Sequence, residues 1–152
     1  MYTHAIFISD FFINELRKTK HMYIDCTFIK PKDFKQVLII LYYNDLIYKN
    51  FPASFILLNN KREKSYYIVL KYLYELIKFN LSVKLDLITY STDFEPGLFN
   101  TCKKVFGENI RAVGYLFHFG QVVSNHLWKY GLFDNKCKDI AEIIYSSIIY
   151  LP

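Results

Sequence analysis

The stretch Met22-Tyr23-Ile24-Asp25-Cys26-Thr27-Phe28 decides how this chain is read. β-Branched and aromatic residues dominate it, so it reads as a strand. One acid stands in its middle. A carboxylate isolated inside an apolar strand is costly, so Asp25 has to be paired, protonated or metal-bound if it is buried. A second acid occupies a similar place in Leu87-Ile88-Thr89-Tyr90-Ser91-Thr92-Asp93-Phe94-Glu95, where a short strand runs into the start of a helix. Two acids, each at or near a strand end, suggest a site for a divalent metal. Taken singly, each has a plainer reading: Asp25 as a turn or edge-strand acid, Asp93 as a helix N-cap.

Outward from the first strand, hydrophobic periodicity sets the elements. Ala5 to Ser9 is a short apolar piece, and Asp10 is placed to cap a helix running to about Thr19. Met22 to Ile29 is the first core strand, stopped by Pro31. Gln36 to Tyr43 reads as its antiparallel partner, and Ala53 to Leu58, after Pro52, as a third strand in a meander. From Ser65 to Phe79 the apolar positions Tyr66, Val69, Leu70, Leu73, Leu76 and Ile77 recur at helical spacing. Leu85 to Tyr90 is a fourth strand. A helix from Phe94 to about Val105 carries Pro96 in its first turn, where proline is tolerated. Ile110 to Phe117 is a fifth strand, His118 to Tyr130 a helix, and Ile140 to Leu151 a last amphipathic stretch.

Composition limits the functional classes. At 152 residues one domain is the prior, and 53% hydrophobic residues with 14 Phe and 14 Tyr argue for a packed core against disorder. The longest apolar run, Val37 to Tyr43, has seven residues, against the ~20 needed to cross a bilayer, so no membrane partner is expected. The N-terminus lacks a signal-peptide pattern. A net charge of +5 permits a polyanionic partner without requiring one. Cys26, Cys102 and Cys137 are an odd, widely spaced set, read as reduced thiols of a nuclear or cytosolic protein. No P-loop, G-x-G-x-x-G, H-E-x-x-H or G-x-S-x-G occurs.

Three antiparallel strands followed by βα units predict an α/β fold: a mixed five-stranded sheet with helices on both faces, in the strand–helix order of the ribonuclease-H-like fold. The first and fourth strands are neighbours in such a sheet, so Asp25 and Asp93 converge. Two converging carboxylates repel unless a cation lies between them. Oxygen ligands suit Mg²⁺ or Mn²⁺.

Four pieces in order also carry a family resemblance: Ile24-Asp25-Cys26-Thr27-Phe28 with Phe34-Lys35-Gln36; Asn59-Asn60-Lys61 with Ser65-Tyr66; Thr92-Asp93-Phe94-Glu95; and Gly114 to Gln121 with His118. The chain resembles the transposase domain of Mutator-like elements, a DDE-type transposase. The resemblance implies that Asp25 and Asp93 are the first two catalytic, metal-binding acids of the triad. It implies Mg²⁺ or Mn²⁺ as cofactor, DNA (transposon ends and target) as partner, a homo-oligomer, and a nuclear location. Glu95 matches the family's acid after the second Asp and reads as a first-turn helix acid with an accessory role. Two positions depart from the family pattern. Cys26 stands where the family often has Gly, and Tyr115 replaces the Cys of a Cys-x-x-His motif, which weakens any ligand role for His118.

The family's third acid lies well downstream, after a helical insertion. Glu142 is the acid of the last amphipathic stretch and a weak stand-in for it. The expected layout is a lead-in over 1–21, a ribonuclease-H-like core over 22–132, and the start of a truncated helical region over 133–152. On this reading the chain is an inactive fragment of a metal-dependent DNA transposase. Two alternatives stay open: a non-catalytic DNA- or protein-binding remnant, and a ribonuclease-H-like nuclease using Asp25 and Asp93 with Glu142.

Overall fold

In the computed structural model the described residues are 4–27, 33–78, 85–93 and 95–114, together with 129 and 131. The chain divides into two compact units, Met1–Val113 and Gly114–Pro152. The first unit is α/β. Its elements are β1 (His4–Ile8), α1 (Asp10–Lys18), β2 (His21–Thr27), β3 (Gln36–Asn44), β4 (Lys49–Leu58), α2 (Glu63–Lys78), β5 (Thr89–Thr92), α3 (Pro96–Phe106) and β6 (Arg111–Gly114).

The strands make one mixed sheet in the order β1-β4-β3-β2-β5-β6. It has six strands, where the sequence pattern predicts five. The addition is the apolar piece at the N-terminus, which pairs antiparallel along β4 with Phe7 opposite Phe55. β2, β3 and β4 form the expected antiparallel meander. β2 and β5 pair in parallel. Two strand boundaries also move. β4 starts before Pro52 rather than after it, because a register shift between Ile40 and Leu41 absorbs the missing N–H of the proline. The fourth core strand begins at Thr89 rather than Leu85, and residues 85–88 precede it without strand pairing.

Alternation explains which face is covered. Along β2, Met22, Ile24 and Cys26 are buried, while Tyr23 and Asp25 between them are half-buried on the other face. Leu38, Ile40, Ile56 and Leu58 are fully buried. Tyr66, Val69, Leu70, Leu73 and Ile77 form the apolar stripe of α2. Leu16 of α1 and Leu98, Cys102 and Phe106 of α3 join the same core cluster as Ile24 and Cys26. The three described helices therefore cover one face. Burying a side chain the size of Leu or Ile is worth about 1.5–3 kcal/mol, so this layer carries most of the stabilisation.

Helix ends are tied by specific groups. Ser9, not Asp10, caps α1, its Oγ accepting from the Phe12 N–H at 3.4 Å. Arg17 and Lys18 lie in the last turn of α1 as expected. Arg17 also reaches the end of α2, donating from Nε to the Ile77 carbonyl (2.7 Å) and from Nη2 to that of Leu76 (3.3 Å). Two orphan carbonyls at the negative end of α2 are satisfied by one guanidinium. Gly107 closes α3 at φ 85°, a conformation natural to glycine. Among the described residues no helix is long and apolar enough to cross a membrane.

Candidate functional site

The last parallel pair between β2 and β5 is Ile24 with Thr92. The next residue on each strand is an acid: Asp25 on β2 and Asp93 just beyond β5. The register thus sets both candidates at adjacent positions, at the carboxyl end of the β5 ladder. In open α/β sheets this is the edge where ligands bind. β2 continues past this point, held by β3 through Cys26 opposite Leu38 and Thr27 opposite Val37. β5 does not. Both acids are half-buried.

Asp93 is not the cap of α3. That position falls to Glu95, whose backbone is extended (φ −67°, ψ 114°) and whose side chain makes no capping bond. Asp93 turns its carboxylate toward the same junction, and its Oδ1 accepts from the Glu95 N–H at 3.2 Å. This is the local bond by which aspartate commonly reverses a chain leaving a strand.

Glu95 departs from its expected role as a helix-dipole acid. Its carboxylate is taken by a side chain from another element. The Tyr66 hydroxyl, on α2, donates to Glu95 Oε1 at 2.8 Å. The same oxygen accepts from Gln36 Nε2, on β3, at 2.6 Å. Gln36 and Tyr66 are both fully buried. A buried amide and phenol are tolerated because they satisfy each other and end on a carboxylate, a charge-assisted bond. The Gln36 Oε1 and the Thr92 Oγ1 are buried polar atoms with no hydrogen-bond partner.

The sequence reading did not place Gln36 or Tyr66 at the site. Both lie in motif pieces of the resemblance, and Tyr66 also reads as an apolar position of the helix stripe. A signal was present: a glutamine opening a buried strand must find a partner.

Cys26 reports on the same neighbourhood. Burial pushes its thiol well above the ordinary range; Asp93 and then Glu95 push it further, a Tyr66 hydrogen bond opposes them, and Asp25 adds a little more. Asp25 contributes least of the three acids although it is the adjacent residue, as alternation along β2 would place it on the opposite face. Cys102 on α3 is pushed up to about 12, by burial and then by Asp93. Both thiols therefore stay protonated at neutral pH and serve as small apolar groups rather than nucleophiles or thiolate ligands.

Among the described residues no group of three or more His, Cys, Asp or Glu is arranged to hold a metal ion. His118 and Glu142 lie outside the described residues. The donor chemistry of the Asp25–Asp93 pair still fits Mg²⁺ or Mn²⁺, since such ions are commonly held by one or two carboxylates with water and substrate oxygens filling the rest. A surface depression of about 570 Å³ lined by Glu63, Lys64, Tyr67 and Lys104 does not include either acid. No protein-family model matches the chain, and no curated protein matches it either.

Proposed function

We propose that this chain is a ribonuclease-H-like, DNA-processing core of the Mutator-like transposase type, in which Asp25 and Asp93 hold Mg²⁺ or Mn²⁺. The observation that carries the reading is the parallel β2–β5 pairing, with an aspartate in the next position on each strand. The sheet order supports it by making the first and fourth core strands neighbours, as the ribonuclease-H-like arrangement needs. The net charge of +5 suits a polyanionic partner, proposed to be DNA.

When bound, the metal would activate a water or a 3′-hydroxyl and neutralise charge developing on the phosphate. The chain's own residues bind and orient. Asp25 and Asp93 supply carboxylate oxygens. The Glu95 N–H fixes the rotation of the Asp93 carboxylate. The continuous β2–β3 ladder fixes the backbone of Asp25 opposite Ile39. The nuclear location, an oligomeric assembly on DNA and a third acid farther along the chain belong to the same proposal.

A second reading, a non-catalytic DNA- or protein-binding domain, is favoured by one observation: no three ligand side chains gather among the described residues. Metal-dependent melting separates the two. A ligand that binds only the folded state at about 100 times its Kd adds about 2.7 kcal/mol, or about 5–10 °C for a domain of this size. The transposase-core reading expects that shift with Mn²⁺, and its loss in both Asp25→Asn and Asp93→Asn. A wild-type melting temperature indifferent to Mn²⁺ would leave the binding domain as the better account.

A further inference from the structure

We infer that Tyr66, held by Gln36, is a positioning residue for the Asp93 carboxylate and acts through Glu95. The inference rests on the metal-site reading above and goes beyond it by naming what aims one of the two acids. The path is continuous. Gln36 Nε2 donates to the Tyr66 hydroxyl at 2.6 Å, that hydroxyl donates to Glu95 Oε1 at 2.8 Å, and the Glu95 N–H donates to Asp93 Oδ1 at 3.2 Å. It joins three separate parts of the fold: β3, α2 and the junction between β5 and α3.

The need for such a device follows from the local structure. β5 is four residues long and ends at Thr92, so strand pairing does not hold Asp93. Glu95 is the N-cap of α3 but makes no side-chain capping bond, so the helix start does not hold its side chain either. A short turn between a strand end and a helix start would otherwise leave the Asp93 carboxylate free to rotate. Tyr66 removes that freedom. It is fully buried and fixed along α2 by Val69, Leu70 and Leu73 in the same apolar stripe. Its single proton is committed to Glu95, because Gln36 Nε2 can only donate and so occupies the hydroxyl as an acceptor. The network therefore has one direction, running from the sheet toward the acid.

Groups that orient metal-binding carboxylates and imidazoles typically change metal affinity by about 10–100-fold when removed. The test is Mn²⁺ titration of the full chain, read by calorimetry and by the metal-dependent change in melting temperature. Tyr66→Phe should weaken Mn²⁺ binding by about 10–100-fold. A purely structural role would lower the melting temperature equally with and without Mn²⁺ and leave the affinity unchanged, which would overturn the inference. Glu95→Gln retains an acceptor for the Tyr66 hydroxyl and the same backbone N–H, so it should keep most of the affinity. Glu95→Ala releases Tyr66 and should match Tyr66→Phe. Equal loss in Glu95→Gln and Glu95→Ala would make Glu95 a direct ligand and overturn the positioning role. Wild-type protein that does not bind Mn²⁺, or that binds it as well after Asp93→Asn, would overturn the metal-site reading itself.

Discussion

β3 is nine residues long and β5 is four, and the two strands flank β2 on opposite sides. On the β3 side, Leu38 and Ile40 are fully buried and the pairing continues into β4 through Ile56 and Leu58. On the β5 side, the buried residues include Ser91 and Thr92, the Thr92 hydroxyl has no partner, and an acid follows at once. The long antiparallel meander spends its residues on apolar burial. The short parallel strand carries polar groups that contribute little to the core and that have chemical uses. Regular pairing supplies the stability here, and the place where it stops supplies the candidate site.

Substitutions on either side of β2 should break or sharpen that contrast. The largest effect is expected in the meander: Leu38→Ala leaves a cavity under a fully buried side chain and should cost about 2–5 kcal/mol in urea-induced unfolding. A cost below about 1 kcal/mol, the range of a neutral surface change, would show that the meander is not the stabilising half. At the acid edge, Asp93→Asn should leave the metal-free stability nearly unchanged, since the amide oxygen still accepts from the Glu95 N–H. It should remove the Mn²⁺-dependent gain of about 2.7 kcal/mol reached at 100 times Kd, as read by calorimetric melting.

Smaller effects test the polar strand itself. Thr92→Val replaces a buried, unpartnered hydroxyl by a methyl of similar shape and should be neutral or stabilising by up to about 1 kcal/mol. A loss of more than that in thermal melting would mean the hydroxyl is engaged. The smallest change belongs to the hairpin joining β3 and β4. There Asn44 Oδ1 accepts from the N–H of Leu46 and Ile47, and Tyr48 adopts φ 54°. Tyr48→Gly relieves about 1–2 kcal/mol of left-handed strain. It also adds about 0.5–1 kcal/mol of unfolded-chain entropy, so the net gain should stay near or below about 1 kcal/mol. Denaturant midpoints would show it.

Much of this architecture was legible in particular residues. The alternation of Met22, Ile24 and Cys26 marked β2, and the helical spacing of Tyr66, Val69, Leu70, Leu73 and Ile77 marked α2. Asp25 and Asp93 stood out because charged side chains are rare at strand ends inside apolar sequence. The misplacements also have local causes. Leu85 and Leu87 look like strand residues, and Leu87 is indeed buried, but the backbone there bonds elsewhere: the Asp86 N–H goes to the Arg17 carbonyl and the Ile88 N–H to that of Lys20. Ser9 outcompeted Asp10 as a cap by standing one residue earlier, where its hydroxyl reaches the Phe12 N–H.

Taken alone, the amino-acid order determined which segments become strands and helices and which side of each is apolar. Those properties depend on neighbours two to four residues apart. Only the tertiary structure decided that the N-terminal piece would join the sheet through β4, that β5 would lie beside β2 with its acid one step from Asp25, and that Tyr66 would close on Glu95. Such pairings link residues tens of positions apart, and the chain settles them by the total burial and hydrogen bonding of the whole layer. No local pattern encodes that sum.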